Sequence, residues 1–199
     1  MSSRENAKLY FEGRSTRFPK DWIPHIAVCV PLESIPVIAF KVPVRHLSLT
    51  GRDVFNFDTL FDTLRNVHCA RLVHVIDLTL SNRFYRPDLE LDPHNIGYTK
   101  ILCPGGPRLT PTEANYATFR NCMLTQIAEI NKVPNGEKAE KLLIGVHCTH
   151  GINRTGYLIC RFMIQEMGLS ANQAIEDFER SRGLKIQRQH VVDSILDLD

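Results

Sequence analysis

The sequence predicts an α/β protein built on a mostly parallel β-sheet that is flanked by helices. Short apolar runs rich in β-branched residues alternate along the chain with longer runs in which apolar residues recur every three to four positions. The first pattern is typical of buried strands and the second of amphipathic helices. Strands that alternate with helices form parallel sheets covered by those helices. The 199 residues suffice for one domain with a substantial core.

Four segments have the composition of strands. They are residues 37–43, 72–78, 98–102 and 142–146. The second of them is almost entirely apolar, which indicates a central strand buried on both faces. His74 interrupts this run, and we interpret it as a hydrogen-bonded core histidine rather than a catalyst, because most histidines in such positions are of that kind.

Five segments are predicted to be helices from their apolar periodicity and from the capping residues at their starts. They are residues 56–66, 110–131, 157–167, 170–180 and the C-terminal run from Gln187. Asn56 is the expected N-cap of the first helix, and Ser170 begins a capping box for the fourth. In the second helix we expect Thr110 at the N-cap, Pro111 at the first helical position and Glu113 two residues later.

The remaining segments are predicted to be loops or a loose arm. The predicted loops are residues 79–92, 103–109 and 133–140. Residues 1–16 are polar and show no periodicity, so we expect a flexible N-terminal arm. Trp22, the only tryptophan, is expected to pack the arm onto the domain. Because no linker interrupts the rest of the chain, residues 17–199 are predicted to form a single catalytic domain, for the reasons that follow.

The composition limits the classes of protein to which the chain can belong. Hydrophobic residues make up 43% and charged residues 23% of the chain, as in soluble globular proteins. The net charge of +2 is too small for the whole molecule to attract nucleic acid. The six cysteines show no disulfide framework or metal-ligand spacing, so we expect neither a metal nor another cofactor. Without a signal peptide or a membrane-spanning run, we expect a monomer in the nucleus or cytoplasm.

One stretch has a pattern that points to chemistry. Val146–Gly156 lies between a predicted strand and a predicted helix and contains C-x5-R, with Cys148 and Arg154 at its ends. A loop at a helix N-terminus directs backbone N–H groups and the helix dipole towards an anion. The same field lowers the pKa of a thiol, so we expect Cys148 to be a thiolate near neutral pH. With Arg154 as a bidentate phosphate ligand, the stretch is suited to nucleophilic attack on phosphorus.

Other residues near the nucleophile are predicted to assist it. The loop amides are expected to hold the equatorial oxygens of a phosphoryl group. These substrate-binding residues are Thr149, His150, Gly151, Ile152 and Asn153. Thr155 is expected to donate to the leaving sulfur as a catalytic residue, although a hydroxyl at a helix start can instead satisfy the backbone. We expect His147 to orient the loop rather than to move protons. Asp77 lies near the carboxyl end of the second predicted strand, at the edge of the sheet where ligands bind, and is expected to support the site.

The lack of an acidic residue in one loop bears on which leaving group the reaction expels. An alcohol or phenol with a pKa of about 10 or higher needs a general acid, normally a carboxylic acid on a loop. The natural position is the loop 103–109, which contains neither Asp nor Glu. Glu113 is the nearest carboxylate in sequence and is expected to serve the helix cap instead. A terminal phosphate, with a second pKa of about 6, needs less help. The sequence therefore favours cleavage of a phosphoanhydride, as in a 5′-triphosphate end.

The segment HCTHGINRTG, residues 147–156, resembles the RNA 5′-triphosphatase branch of the cysteine-dependent phosphatases. That branch includes the triphosphatase domain of metazoan mRNA-capping enzymes, stand-alone RNA phosphatases and the baculoviral RNA phosphatase. Further stretches that agree are Arg17–Pro19 with Trp22, Phe40–Pro43, Ile76–Thr79 with Arg83–Tyr85, Cys103–Gly105, Arg182–Gly183 and Arg188–Gln189. The resemblance implies a cysteine-phosphatase fold with Cys148 as nucleophile and Arg154 as phosphate-loop arginine. It also places Arg188 where stand-alone members have a second arginine on the polyphosphate.

Three functions stay open at this point. The leading interpretation is a metal-independent phosphatase that removes the γ phosphate, with or without the β phosphate, from RNA 5′ ends. The alternative is a protein phosphatase that acts on phosphotyrosine or phosphoserine and phosphothreonine in phosphoproteins. A phosphate-binding module without activity is disfavoured, because the nucleophile Cys148 and Arg154 are both present.

Overall fold

The computed structural model describes residue 22 and residues 25–44, 55–133 and 140–199. Within them, one sheet contains four strands, β1 (Val37–Lys41), β2 (Ala70–Asp77), β3 (Gly97–Lys100) and β4 (Lys141–Cys148). Their order is β1-β4-β2-β3, and every neighbouring pair is parallel. The predicted α/β fold with a parallel sheet is therefore confirmed. The predicted arm, residues 1–16, lies outside the described residues, as does most of the connection 133–140.

Helices cover the sheet in the described part of the chain. They are α1 (Phe57–His68), α2 (Pro87–Glu90), α3 (Glu113–Asn131), α4 (Asn153–Met167), α5 (Ala171–Arg182) and α6 (Gln189–Leu196), with a 3-10 turn at Asp92–His94. The predicted caps at Asn56 and Ser170 are confirmed, because each side chain accepts a hydrogen bond from the backbone N–H three residues later. Gly168 and Gly183 end α4 and α5 in the left-handed conformation.

The predicted start of α3 is wrong by two residues. Thr112, not Thr110, is the N-cap, and its hydroxyl accepts from the N–H of Asn115 at 3.2 Å. The Asn115 side chain accepts in return from the N–H of Thr112 at 3.1 Å, which completes a reciprocal box. Glu113 therefore stands at the first helical position and not in the cap. Its carboxylate binds the Arg161 guanidinium of α4 at 2.6 and 2.7 Å.

The segment 79–92, predicted as a loop, contains a short helix at its end. Pro87 begins α2, because its fixed φ suits the first helical position and its missing N–H is not needed there. The Arg86 guanidinium binds the Asp88 carboxylate, with Nε donating at 2.9 Å, across this start. The turn Asp92–His94 follows and leads into β3.

The sheet buries side chains on both faces, and the strands alternate between them. Val37 and Ala39 of β1 point into a core shared with α3 to α6. Ile38 and Phe40 point into a second core shared with α1. Trp22 belongs to the second core, and its indole N–H donates to the carbonyl of Val42 at 3.1 Å. Because a close-packed core covers each face of the sheet, the strands and their carboxyl ends are held in fixed positions.

The carboxyl ends of the strands meet at one edge of the sheet. The register places Lys41 of β1 beside Cys148 of β4, and Asp77 of β2 beside both His147 of β4 and Lys100 of β3. In open parallel sheets this edge is where ligands bind. The fold thus collects a thiol, a carboxylate, an imidazole and two amines at the position expected for a site.

Candidate active site

A tight loop joins the end of β4 to the start of α4. We call residues 148–154 the phosphate loop. Within it, Gly151 has a φ of +65°, and a Cβ there would lie 2.1 Å from the carbonyl oxygen of Phe40. No side chain fits without displacement of β1 or of the loop. Glycine therefore allows the phosphate loop to lie directly against β1, where the N–H of Val42 also donates to the carbonyl of Thr149 at 3.1 Å.

The Cys148 thiol is buried at the start of α4, with 3% of the residue exposed. Burial alone would raise the pKa of this thiol, but the charge of Arg154 and hydrogen bonds from Thr155 and the N–H of Ile152 outweigh it. The pKa of Cys148 is lowered from 9.0 to about 7. About half of the thiol is then ionised at pH 7. The sulfur is therefore a competent nucleophile under neutral conditions.

Thr155 faces the sulfur from the first turn of α4. Its hydroxyl oxygen is buried and makes no hydrogen bond to the backbone among the described residues. The side chain and the N–H of Thr155 both lower the pKa of Cys148, which leaves the sulfur as the group that the hydroxyl can serve. Of the two roles open from the sequence, the geometry favours donation to the sulfur over satisfaction of the backbone. A donor at this point stabilises the thiolate both before attack and on departure.

The Arg154 guanidinium connects three loops at the carboxyl edge of the sheet. Nη1 donates to the carbonyls of Leu78 at 3.1 Å and Cys103 at 2.9 Å, and Nη2 donates to the Thr149 hydroxyl at 2.8 Å. Gly105 lies close to the guanidinium, since a Cβ there would be 3.4 Å from Cζ. These contacts hold a positive charge beside the nucleophile and bring the loop 103–109 against the phosphate loop.

His147 is fully buried and is held at both ring nitrogens. Nδ1 lies 3.1 Å from the carbonyl of Cys148, and Nε2 lies 2.7 Å from the hydroxyl of Tyr85. Because a carbonyl only accepts, Nδ1 carries the proton and the tyrosine O–H donates to Nε2. Burial lowers the pKa of His147 and, together with the Asp77 carboxylate, raises the pKa of Tyr85, so the ring stays neutral and the phenol stays protonated. This geometry suits an orienting residue better than a proton carrier.

Asp77 lies behind His147, with Oδ1 3.9 Å from Nδ1 of that ring. Oδ2 accepts from Lys100 at 2.7 Å and from the Tyr98 hydroxyl at 3.0 Å, and Oδ1 accepts from the N–H of Thr79 at 2.7 Å. Burial alone would raise the pKa of Asp77, but His147, Lys100 and the N–H of Thr79 lower it. Because the imidazole of His147 is neutral, Lys100 is the cation that lowers the pKa of Asp77. An ionised carboxylate held by three donors supports the site and is a poor source of protons.

Arg182, in the last turn of α5, is a site residue whose role does not follow from the motif. It is fully buried, and its guanidinium donates to the carbonyls of His150 at 2.9 Å, Gly151 at 3.0 Å and Ile26 at 2.5 Å. Burial lowers the pKa of Arg182 to about 10, which still leaves it charged at neutral pH. It fixes two peptide groups of the phosphate loop. A helical pattern predicts its burial, because Phe178 lies four residues earlier on the apolar face.

Arg188 lies immediately before α6 and contacts the site from a third direction. Its N–H donates to the Asn153 side chain at 3.0 Å, and its guanidinium donates to the carbonyl of Gly106. The structure therefore brings the residues predicted for nucleophile, phosphate binding and second arginine to one place. The Asn153 side chain is used to position Arg188, and Asp77 stands one layer further away, behind His147.

The described residues also bear on cofactors and membranes. No group of three or more His, Cys, Asp or Glu side chains among them is arranged to hold a metal ion. All six cysteines are free thiols. No helix in the described ranges combines the length and the apolar character needed to cross a bilayer.

Sequence comparison finds relatives that match most of the chain. Residues 67–198 match the family "Dual specificity phosphatase, catalytic domain". A bovine protein named RNA/RNP complex-1-interacting phosphatase is 36% identical over 180 residues, which are 89% of this chain and 51% of the bovine protein. A tyrosine-protein phosphatase of Autographa californica nuclear polyhedrosis virus is 30% identical over 90% of this chain and 99% of its own length. The chain thus spans about half the length of the mammalian relative.

Solved structures of phosphatases have the same fold. PTPMT1 superposes with a TM-score of 0.58 at 14% identity over 85% of this chain and 92% of its own. A putative protein tyrosine phosphatase from Leishmania major superposes with a TM-score of 0.58 at 19% identity over 86% of this chain and 96% of its own. At these identities the likeness concerns the fold. Together with the sequence match over residues 67–198, it shows that the chain belongs to the dual specificity phosphatase family.

Proposed function

We propose that this protein is an RNA 5′-phosphatase that removes the γ phosphate of a triphosphate end through a cysteinyl-phosphate intermediate. Two relatives have names that describe interaction with an RNA/RNP complex, the bovine RNA/RNP complex-1-interacting phosphatase and its human counterpart, which is 33% identical over 195 residues. Since the chain spans about half of these proteins, their names support the proposal and do not establish it. RNA 5′ ends are the proposed partner, in the nucleus or cytoplasm.

The observation that carries the proposal is the state of the carboxylates around the loop 103–109. The loop itself contains no Asp or Glu. Asp77, on the strand next to it, is buried and bound to Lys100, and Glu113, which follows it, is bound to Arg161. Ion pairing lowers the pKa of both carboxyl groups. A leaving group that requires a proton is poorly served, whereas an RNA diphosphate departs without one.

The chemical steps follow from the geometry of the phosphate loop. The Cys148 thiolate attacks the γ phosphorus, the S–P bond forms, and the bond to the bridging oxygen breaks with its electron pair leaving on the RNA diphosphate. The loop amides and Arg154 stabilise the equatorial oxygens, where the negative charge resides. Water then attacks the phosphorus and gives up a proton to solvent, and the S–P bond breaks with its electron pair on the sulfur. Orthophosphate leaves, and a hydrogen bond from Thr155 stabilises the departing thiolate.

A protein tyrosine or dual-specificity phosphatase is the second candidate. The observation in its favour is the name of the viral relative, a tyrosine-protein phosphatase that aligns over 99% of its length. The buried thiolate and Arg154 would serve either substrate. The two candidates differ in what binds beyond the transferred phosphoryl group and in whether the leaving group needs a proton.

One side-by-side assay tests the proposal. We expect kcat/KM for γ-labelled triphosphate RNA to exceed that for a phosphotyrosine peptide by about a hundredfold or more, a ratio that binding to a specific group can supply. Diphosphate RNA as a third substrate shows whether the β phosphate is also removed. EDTA should leave the RNA rate unchanged, because Arg154 and the loop amides supply the charge stabilisation that a metal would otherwise provide.

The control in this assay is Cys148→Ser, which should lack activity on every substrate. A peptide that is cleaved as well as the RNA would assign the protein to phosphoproteins instead. Loss of RNA cleavage in EDTA with recovery on added Mg²⁺ would contradict metal independence.

A further inference from the structure

The segment 25–28 is held against the phosphate loop by two buried cations. Lys41 Nζ donates to the carbonyl of His25 at 3.0 Å, and the Lys41 N–H donates to that of Ala27 at 2.9 Å. The Arg182 guanidinium binds the Ile26 carbonyl and, at the same time, carbonyls of the phosphate loop. Both cations are at least 96% buried. The backbone of this segment is therefore fixed beside the site, and one of the two cations, Arg182, also fixes the phosphate loop.

This placement brings the His25 side chain to the rim of the phosphate loop. Its ring centroid lies 5.1 Å from that of His150, with an angle of 43° between the planes. The Nε2 atom of His25 lies 2.9 Å from the side-chain nitrogen of Gln187. The amide nitrogen of Gln187 is a donor, so Nε2 of His25 accepts this hydrogen bond. His25 and Gln187 are not part of the C-x5-R motif.

Gln187 connects this histidine pair to the second arginine. Its neighbour Arg188 binds Asn153 of the phosphate loop through the backbone N–H and Gly106 through the guanidinium. The dipeptide 187–188 therefore passes from the loop 103–109 to His25 along one side of the site. We call the side chains of His25, His150, Gln187 and Arg188 the nitrogen wall.

The nitrogen wall differs in chemistry from the exposed side chains at the starts of two neighbouring loops. All four side chains of the wall carry N–H donors, and none is a carboxylate. On the loops that follow β2 and β3, by contrast, Leu80 and Leu102 are 55% and 58% exposed. A row of donors beside the phosphate loop matches a chain of phosphates, which carries acceptor oxygens on every phosphorus. A single aryl phosphate would reach only the phosphate loop.

We propose that His25 and Gln187, with His150, bind the phosphates that stay on the RNA when the γ phosphate is transferred. This inference rests on the proposed function, because it requires a substrate with a phosphate chain. It sets the direction of that chain, which leaves the phosphate loop along Arg188, Gln187 and His25 and not across the exposed leucines. His25 and Gln187 thereby distinguish a polyphosphate end from a monoester.

Calorimetric binding at pH 7 in the Cys148→Ser background tests the proposal without turnover. The probes are inorganic orthophosphate and inorganic tripolyphosphate. We expect the parent to bind tripolyphosphate at least about tenfold more tightly, since each further donor to a charged oxygen contributes. His25→Ala and Gln187→Ala should each weaken tripolyphosphate binding about five- to tenfold and orthophosphate binding less than about twofold. His25→Asn, which keeps an N–H donor, should recover part of the loss.

His94→Ala is the matched control. His94 is also a histidine packed on an aromatic ring, with its centroid 4.8 Å from that of Phe61, but it lies on the 3-10 turn before β3. It should change neither binding constant. Gln187 is exposed, so Gln187→Ala keeps the test valid even if His25→Ala disturbs the fold.

The outcomes separate this proposal from the proposed function. Equal losses for both probes, no loss for either, or a parent without preference for tripolyphosphate would overturn the nitrogen wall as a polyphosphate site. Because the probes contain no RNA, these binding constants test the nitrogen wall independently of any activity on RNA. Failure of the native enzyme to prefer triphosphate RNA would overturn the RNA function even where the wall binds tripolyphosphate as expected.

Discussion

At the scale of single residues, the chemistry depends on three residues that act on one sulfur atom. Arg154 supplies a charge, Thr155 a hydroxyl and an N–H, and Ile152 an N–H, and together they overcome the burial of Cys148. Burial without them has the opposite effect, as two other thiols show. The pKa of Cys103 is raised to about 12, mainly by burial. Burial likewise raises the pKa of Cys160 well above its ordinary value.

The prediction at the scale of residues concerns how the reactivity of Cys148 depends on pH. Alkylation of Cys148 by iodoacetamide should reach half its maximal rate at about pH 7, because the thiolate is the reactive form and its pKa is lowered to about 7. At pH 6 the rate should fall to about one tenth of the plateau, since protonation then dominates. Mass spectrometry of the modified peptide measures the rate, and Cys103 in the same sample is the control. A midpoint near the pKa of an ordinary thiol would contradict the assignment of Cys148 as a thiolate nucleophile at neutral pH.

At the scale of elements, the phosphate loop is held by parts of the fold that are distant in sequence. β1 contacts Gly151 through the carbonyl of Phe40, α5 reaches the loop through Arg182, and the residue before α6 binds Asn153. Each contact fixes a different peptide group. A loop held in this way presents its amides to an anion with little reorganisation, which is the condition for electrostatic stabilisation of a transition state.

Arg182 provides the prediction at this scale. Arg182→Leu leaves the carbonyls of His150, Gly151 and Ile26 without their donor and should destabilise the fold by about 3 kcal/mol. The melting temperature should drop by roughly 6–12 °C for a domain of this size, as measured by circular dichroism. Arg180→Leu is the control, because that side chain is 53% exposed and its ion pairs contribute little. Similar melting temperatures for both variants would show that the buried arginine does not hold the loop.

Local patterns in the sequence predict most of the elements, and distant contacts explain the exceptions. The periodicity of the strands and the Ser170 cap depend on residues that are close in sequence, so both can be predicted from the sequence alone. The choice of Thr112 over Thr110 as N-cap accompanies the pairing of Glu113 with Arg161, 48 residues away. The positions of His25 beside His150 and of Arg182 beside Gly151 also depend on long-range packing, which no local pattern records.

At the scale of the whole molecule, specificity has to come from the site and not from overall charge. The net charge of +2 gives little long-range attraction to RNA. The sheet, with a core on each face, instead serves to place Cys148, Arg154 and the nitrogen wall at one edge. The family-level fold is shared with phosphatases of under 20% identity, so the fold alone does not choose the substrate.

The most direct test of the chemistry is to trap the intermediate. When the protein is mixed with γ-³²P triphosphate RNA and quenched with acid within the first turnover, we predict one labelled phosphoryl group per active molecule, located on Cys148 by mass spectrometry. Cys148→Ser should show neither label nor turnover. Label on another residue, or RNA cleavage that persists in Cys148→Ser, would contradict nucleophilic catalysis by this thiolate.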